Sequence, residues 1–188
     1  MIKRLWENLQ IRLRPDWQRP EVATLYSAAA AQVRCEEFYR TAAVPDTLDG
    51  RFELLTLHLV LIMLRLRDIA GQDAAQMRQH LFDFLGADMD RNLREMGIGD
   101  MGIARRVKAM GQAFYGRLAA YDTALTQGAE AALMTALDKN LYGTVPTAPE
   151  ALRSMAGYIF RARAGLDACS YAQLIDGAYV WPMLTDTH

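Results

Sequence analysis

The stretch Leu54-Leu55-Thr56-Leu57-His58-Leu59-Val60-Leu61-Ile62-Met63-Leu64 decides the fold. Wound as a helix, it is apolar on nearly every side, and only Thr56 and His58 interrupt it. A helix of that kind is either the centre of a core or a membrane span. Spanning a bilayer takes about 20 consecutive apolar residues, and this run is shorter. It reads as a central core helix from about Gly50 to Ile69, capped by Asp49 and ended by Gly71. Such a helix needs amphipathic partners on all sides.

Those partners are visible in both directions along the chain. Upstream, Ile2, Leu5, Trp6, Leu9 and Leu13 share one face opposite Lys3, Arg4, Arg12 and Arg14. Pro20 opens a second helix carrying Val22, Leu25, Tyr26 and Ala29, since proline is tolerated at a first turn. A short helical piece carries Phe38 and Tyr39. Val44-Pro45-Asp46 then forces an extended or turn conformation. Downstream, Asp73 caps a helix with Met77, Leu81, Phe84 and Leu85 before Gly86. A separate short helix spans Met89 to Met96 and closes at Gly97.

Asp100 caps a long helix to about Leu125, with Val107, Met110, Phe114, Leu118 and Tyr121 on its stripe. Beyond Gly128, Leu133, Leu137 and Leu141 mark a helix that Gly143 stops. Thr147 and Glu150 form a capping box for a helix to Ala164. Tyr179, Val180 and Trp181 dock the tail. Period-two alternation and hairpin dipeptides are missing. The expectation is an all-α fold: one compact multi-helix domain over 20–188, with an amphipathic N-terminal extension over 1–19.

Composition narrows the function. Hydrophobic residues make up 52% and charged residues 23% of 188 residues, as in a globular domain with a sizeable core. A net charge of −1 argues against DNA binding through bulk charge. Cys35 and Cys169 are too few for a disulfide framework and fit a reducing compartment. No signal peptide is visible, so the expected location is cytoplasmic, with a peripheral position at the inner face of the cytoplasmic membrane if the N-terminal stripe of Ile2, Leu5, Trp6, Leu9 and Leu13 lies in the interface.

Catalytic signatures are missing. His58, His80 and His188 are the only histidines. No Glu-x-x-His, Cys-x-x-Cys or His-Glu-x-x-His is present. His58 reads as a core histidine bonded to a nearby polar group. The run Met96-Gly97-Ile98-Gly99-Asp100-Met101-Gly102 is glycine-rich, but it lacks the Lys-Ser/Thr of a phosphate loop and follows a helix. It reads as a tight helix–helix turn, with Gly99 at positive φ. The expectation is a non-enzymatic protein with no cofactor.

Three blocks carry a resemblance. Val44-Pro45-Asp46-Thr47-Leu48-Asp49-Gly50-Arg51-Phe52-Glu53 with Leu57-His58 is the first. Met89-Asp90-Arg91-Asn92-Leu93-Arg94-Glu95-Met96-Gly97-Ile98-Gly99-Asp100 is the second. Lys108-Ala109-Met110-Gly111-Gln112-Ala113-Phe114-Tyr115-Gly116-Arg117 with Tyr121-Asp122 is the third. In this order and separation, over about residues 20 to 165, they resemble the ubiquinol–cytochrome c chaperone domain. The resemblance implies an assembly factor for the cytochrome bc1 complex that binds newly made cytochrome b. It also implies work with a small partner protein and contact with the ribosome. Lacking an Arg/Ser-rich presequence, the chain looks like a bacterial relative. Within the blocks, Asp49, Gly50, Phe52, Arg94, Glu95, Gly97, Gly99, Asp100, Phe114, Tyr115 and Arg117 read as structural, with Arg94, Glu95 and Arg117 bracing the helix–turn–helix.

A holder of apolar helices needs an apolar groove that can repack. The chain has ten methionines, most of them between Met63 and Met155. Met89, Leu93, Met96, Ile98, Met101 and Met110 are therefore the candidate client-binding residues, for cytochrome b or another apolar membrane-protein client. Arg105, Arg106 and Lys108 are a candidate basic surface for RNA or lipid phosphate. Two other readings remain open at this stage. One is a small helical carrier or enzyme for an apolar cofactor such as quinone or haem. The other is an adaptor docked on the ribosome or membrane without holding a client.

Overall fold

A computed structural model describes residues 18–143 and 145–184. Among them lie eight helices and no strand. They are α1 (Pro20–Gln32), α2 (Glu37–Arg40), α3 (Leu48–Asp68), α4 (Gln72–Glu95), α5 (Asp100–Gln127), α6 (Glu130–Leu137), α7 (Pro149–Ala168) and α8 (Tyr171–Ile175). A π-turn, Asp138–Tyr142, continues α6. The N-terminal stripe Ile2, Leu5, Trp6, Leu9 and Leu13 lies outside the described residues.

Helix α3 is the centre. It packs against α1, α4, α5, α7 and the π-turn. Every residue from Thr56 to Leu64 is buried, along with Leu54 and Leu66. Each fully buried Leu or Ile contributes roughly 1.5–3 kcal/mol relative to exposure, so this one helix carries much of the core. Its N-cap is Thr47, whose Oγ1 accepts from the Gly50 N–H at 3.0 Å. Asp49, expected as the cap, sits instead in the first turn, where its carboxylate complements the helix dipole.

Other boundaries also differ from the sequence reading. Helix α4 runs unbroken through Gly86 to Glu95, joining what reads as two helices. A lone glycine weakens a helix by only about 1 kcal/mol and does not end it. Asp73 and Asp100 are not caps; Gly71 and Gly99 hold those positions. The expected Thr147–Glu150 capping box is replaced by Ala148 and Pro149. The Thr147 hydroxyl donates to the Val145 carbonyl instead. In the tail, Tyr179 and Trp181 dock, while Val180 stays exposed.

Candidate functional site: an apolar recess under a helical arm

Helices α4 and α5 form a hairpin whose two ends have different environments. The buried residues of α4 are Ala74, Met77, Leu81 and Leu85, all within its first fourteen residues. Those of α5 are Phe114, Tyr121 and Ala124 in its later half, with Ile103 near the start. Met89 still packs on the core, so at a rise of about 1.5 Å per residue only the last six residues of α4, some 9 Å, reach past it. The hairpin is an arm, and α3 supports only its base.

A recess of about 380 Å³ opens where the arm leaves the core. From α4 it takes Phe82, Leu85, Gly86 and Met89, and from α5 Val107, Lys108, Met110, Gly111, Gln112 and Tyr115. Phe52 of α3 completes it. Phe82 lies 5.0 Å from the Tyr115 ring and 5.5 Å from the Phe114 ring, centroid to centroid. A Cβ at Gly111 would lie 3.4 Å from the end of the Phe82 ring, at the edge of ordinary contact. Lys108 and Gln112 are the long polar side chains of the lining. Small-molecule sites add convergent polar groups to an apolar wall, whereas an apolar peptide needs mainly the wall.

Of the candidate client-binding residues, Met89 and Met110 line this recess. Leu93 and Ile98 are half-buried farther out along the arm, and Met96 and Met101 stand exposed at its tip. In the basic group, Lys108 lines the recess, while Arg105 and Arg106 are exposed. Sequence reasoning missed Phe82, Leu85, Gly86, Val107 and Gly111 as lining. The signal was the helical spacing of Phe82, Leu85 and Met89 against Val107, Gly111 and Tyr115, hidden by the supposed break at Gly86.

Ion pairs hold the arm in place. Arg94 bonds Asp90 at 2.7 Å and Asp100 at 2.6 Å, tying the end of α4 to the start of α5 across the turn. Gly97, not Gly99, has the positive φ, +79°. Gly99 is extended at φ −71°. Arg117 pairs through both nitrogens of its fork with Glu53, so it fastens α5 to α3 and not to the turn. Burial pushes the Glu53 carboxyl up, and Arg117 opposes that rise. Glu95, expected as a third brace, is exposed and has no ion-pair partner among the described residues. Tyr26 of α1 donates to Asp88 at 2.8 Å, anchoring the middle of the arm.

His58 lies elsewhere, fully buried. Its Nδ1 is 2.7 Å from the Leu54 carbonyl, which can only accept, so Nδ1 carries the proton. Nε2 then accepts from the Tyr158 hydroxyl at 2.7 Å. Gln32 donates to that same hydroxyl at 3.3 Å. Burial lowers the imidazole pKa to about 4, leaving a neutral structural histidine. Among the described residues, no group of three or more His, Cys, Asp or Glu side chains converges to hold a metal. No helix there is long and apolar enough to cross a membrane.

The sequence profile of the ubiquinol-cytochrome C chaperone family matches residues 40–181, which include both walls of the recess and the arm. The chain belongs to that family. The members of this family are assembly chaperones, not enzymes. It is 30% identical to a solved Cbp3 homolog from Brucella abortus, with a TM-score of 0.79 and coverage of 98% of each chain. It is similar to the ubiquinol-cytochrome-c reductase complex assembly factor 1 of Xenopus laevis, 23% identical over 86% of this chain and 80% of that one. The human counterpart is 22% identical over 86% of this chain, but over only 54% of its own length.

Proposed function

We propose that this chaperone holds an apolar segment of newly made cytochrome b in the recess between α3, α4 and α5 during assembly of the cytochrome bc1 complex. The observation that carries the reading is the recess itself. It is open, walled by aromatic and methionine side chains, and set at the base of the arm. Methionine adapts its shape at small energetic cost, which suits an irregular client surface. The names of the relatives supply the complex, and apolar lining supplies the kind of segment.

Photocrosslinking from positions 89, 107 and 110 in growing cells tests it. The expected adduct is cytochrome b, with no such adduct from position 134 on α6. Met89→Asp with Met110→Asp should remove the adduct and lower cytochrome b accumulation while the helical circular dichroism persists. A folded double variant that supports full cytochrome b accumulation would place the client elsewhere. A stoichiometric quinone or haem, seen by absorbance above 350 nm, would favour the carrier reading.

A further inference from the structure

The tip of the arm has properties that holding a client in the recess does not require. Met101 is 92% exposed and Met96 60% exposed, which is unusual for side chains that normally bury. Met101, Arg105 and Lys108 follow one another at helical spacing along one face of α5, and Arg106 adjoins it. None of Arg105, Arg106 and Lys108 has a carboxylate partner among the described residues. Of the acids nearby, Asp88 pairs with Arg91, while Asp90 and Asp100 share the single Arg94. Exposed Glu95 has no ion-pair partner among the described residues. Five cations thus meet four acids at the tip, a local excess of one, and Arg105, Arg106 and Lys108 sit unpaired on the α5 side beside the solvent-facing methionines.

We infer that the tip of the α4–α5 arm docks on an anionic lipid surface, with Met96 and Met101 entering the headgroup boundary and Arg105, Arg106 and Lys108 meeting lipid phosphates. The charges call for an anionic partner. The methionines separate a bilayer from RNA, which would leave them in water. A bilayer uses both features at once. Lys108 is shared between the recess and the basic face, so docking would bring the mouth of the recess close to the membrane surface.

The test is co-sedimentation of the full chain with vesicles of phosphatidylcholine alone or with 40% phosphatidylglycerol, a composition on the order of strongly anionic natural membranes. Binding is expected only to the anionic vesicles and should weaken with salt. Arg105→Ala with Arg106→Ala should lower the partition coefficient by roughly thirtyfold, about fivefold for each cation near the surface. Met96→Ser with Met101→Ser should weaken binding without changing its salt dependence. All four residues are exposed, so the melting temperature should stay within about 2 °C in both variants. Unchanged vesicle binding in the double arginine variant would overturn the inference, even if the N-terminal segment keeps the chain on the vesicles. So would loss of RNA binding in that variant with vesicle binding intact. Crosslinking from positions 89 and 110 is a separate readout, so loss of the client reading and loss of membrane docking can be told apart.

Discussion

Gly50→Ala should destabilise the fold, although helix propensity alone says the reverse. Gly50 is buried in the first turn of α3. Alanine inside a helix is favoured over glycine by up to about 1 kcal/mol. Here, however, a Cβ would lie far inside contact distance of the Pro45 carbonyl oxygen, 3.0 Å from its carbon and 3.1 Å from the Pro45 Cβ. That loop cannot retreat cheaply. The Val44 N–H donates to the Phe38 carbonyl at 2.9 Å, and Val44 is buried. The Tyr142 hydroxyl holds the Ala42 carbonyl at 2.6 Å, and Arg51 grips Asp46 at 2.6 Å. Overpacking against fixed atoms costs about 1–3 kcal/mol, and a backbone obstacle puts this case at the upper end. Subtracting the propensity gain leaves a net loss of about 2 kcal/mol or more. For a chain of this size that lowers the melting temperature by about 4–8 °C. Thermal unfolding followed by circular dichroism at 222 nm reads it directly. A melting temperature equal to or above that of the parent would refute the packing of the 42–46 loop on α3.

Two further outcomes follow from the same geometry. The His58 imidazole is held near pKa 4, below the roughly 6.5 of an unfolded histidine, so the unfolded chain takes up the proton first. Its contribution to stability is intact above about pH 6.5 and declines as the pH falls toward 4, with about 2 kcal/mol gone by pH 5. Proton NMR should show a His58 ring signal that does not move between pH 8 and 5.5; a midpoint near 6.5 would contradict the buried pair with Tyr158. At the tip turn, Gly97→Ala should lose about 1 kcal/mol because φ there is +79°, while Gly99→Ala, at φ −71° with open space around it, should be close to neutral. Urea unfolding of both variants checks the contrast, and a larger loss at Gly99 would reverse the assignment.

Much of the architecture was legible because α3 is apolar on all sides and its neighbours have one-sided stripes. Helix ends were less legible. Asp49, Asp73 and Asp100 all had the chemistry of a cap, yet each fell one or two positions inside its helix. A cap depends on where the preceding loop leaves the backbone, and that is decided by tertiary contacts such as Pro45 against Gly50. Gly86 misled for a related reason: packing on both flanks carries α4 through a residue that local preference disfavours. The recess was half visible. Met89 and Met110 were found by residue type, but Phe82 and Gly111 needed knowledge that α4 and α5 run side by side without interruption. The partner of Arg117 could not be read at all, because Glu53 lies on a different helix 64 residues away.

The tail has a consequence for how the molecule is made. Trp181 stacks edge-on against His58 at 4.7 Å, Leu184 is buried, and the Tyr179 hydroxyl bonds the Ala162 carbonyl at 2.8 Å. Helix α3 is therefore sealed by residues that follow it by more than a hundred positions. Until residues 179–184 are in place, α3 stays partly uncovered, so closure of the core waits on a contact of long sequence separation. A chain with so apolar a central helix has hydrophobic surface of its own to protect while it folds.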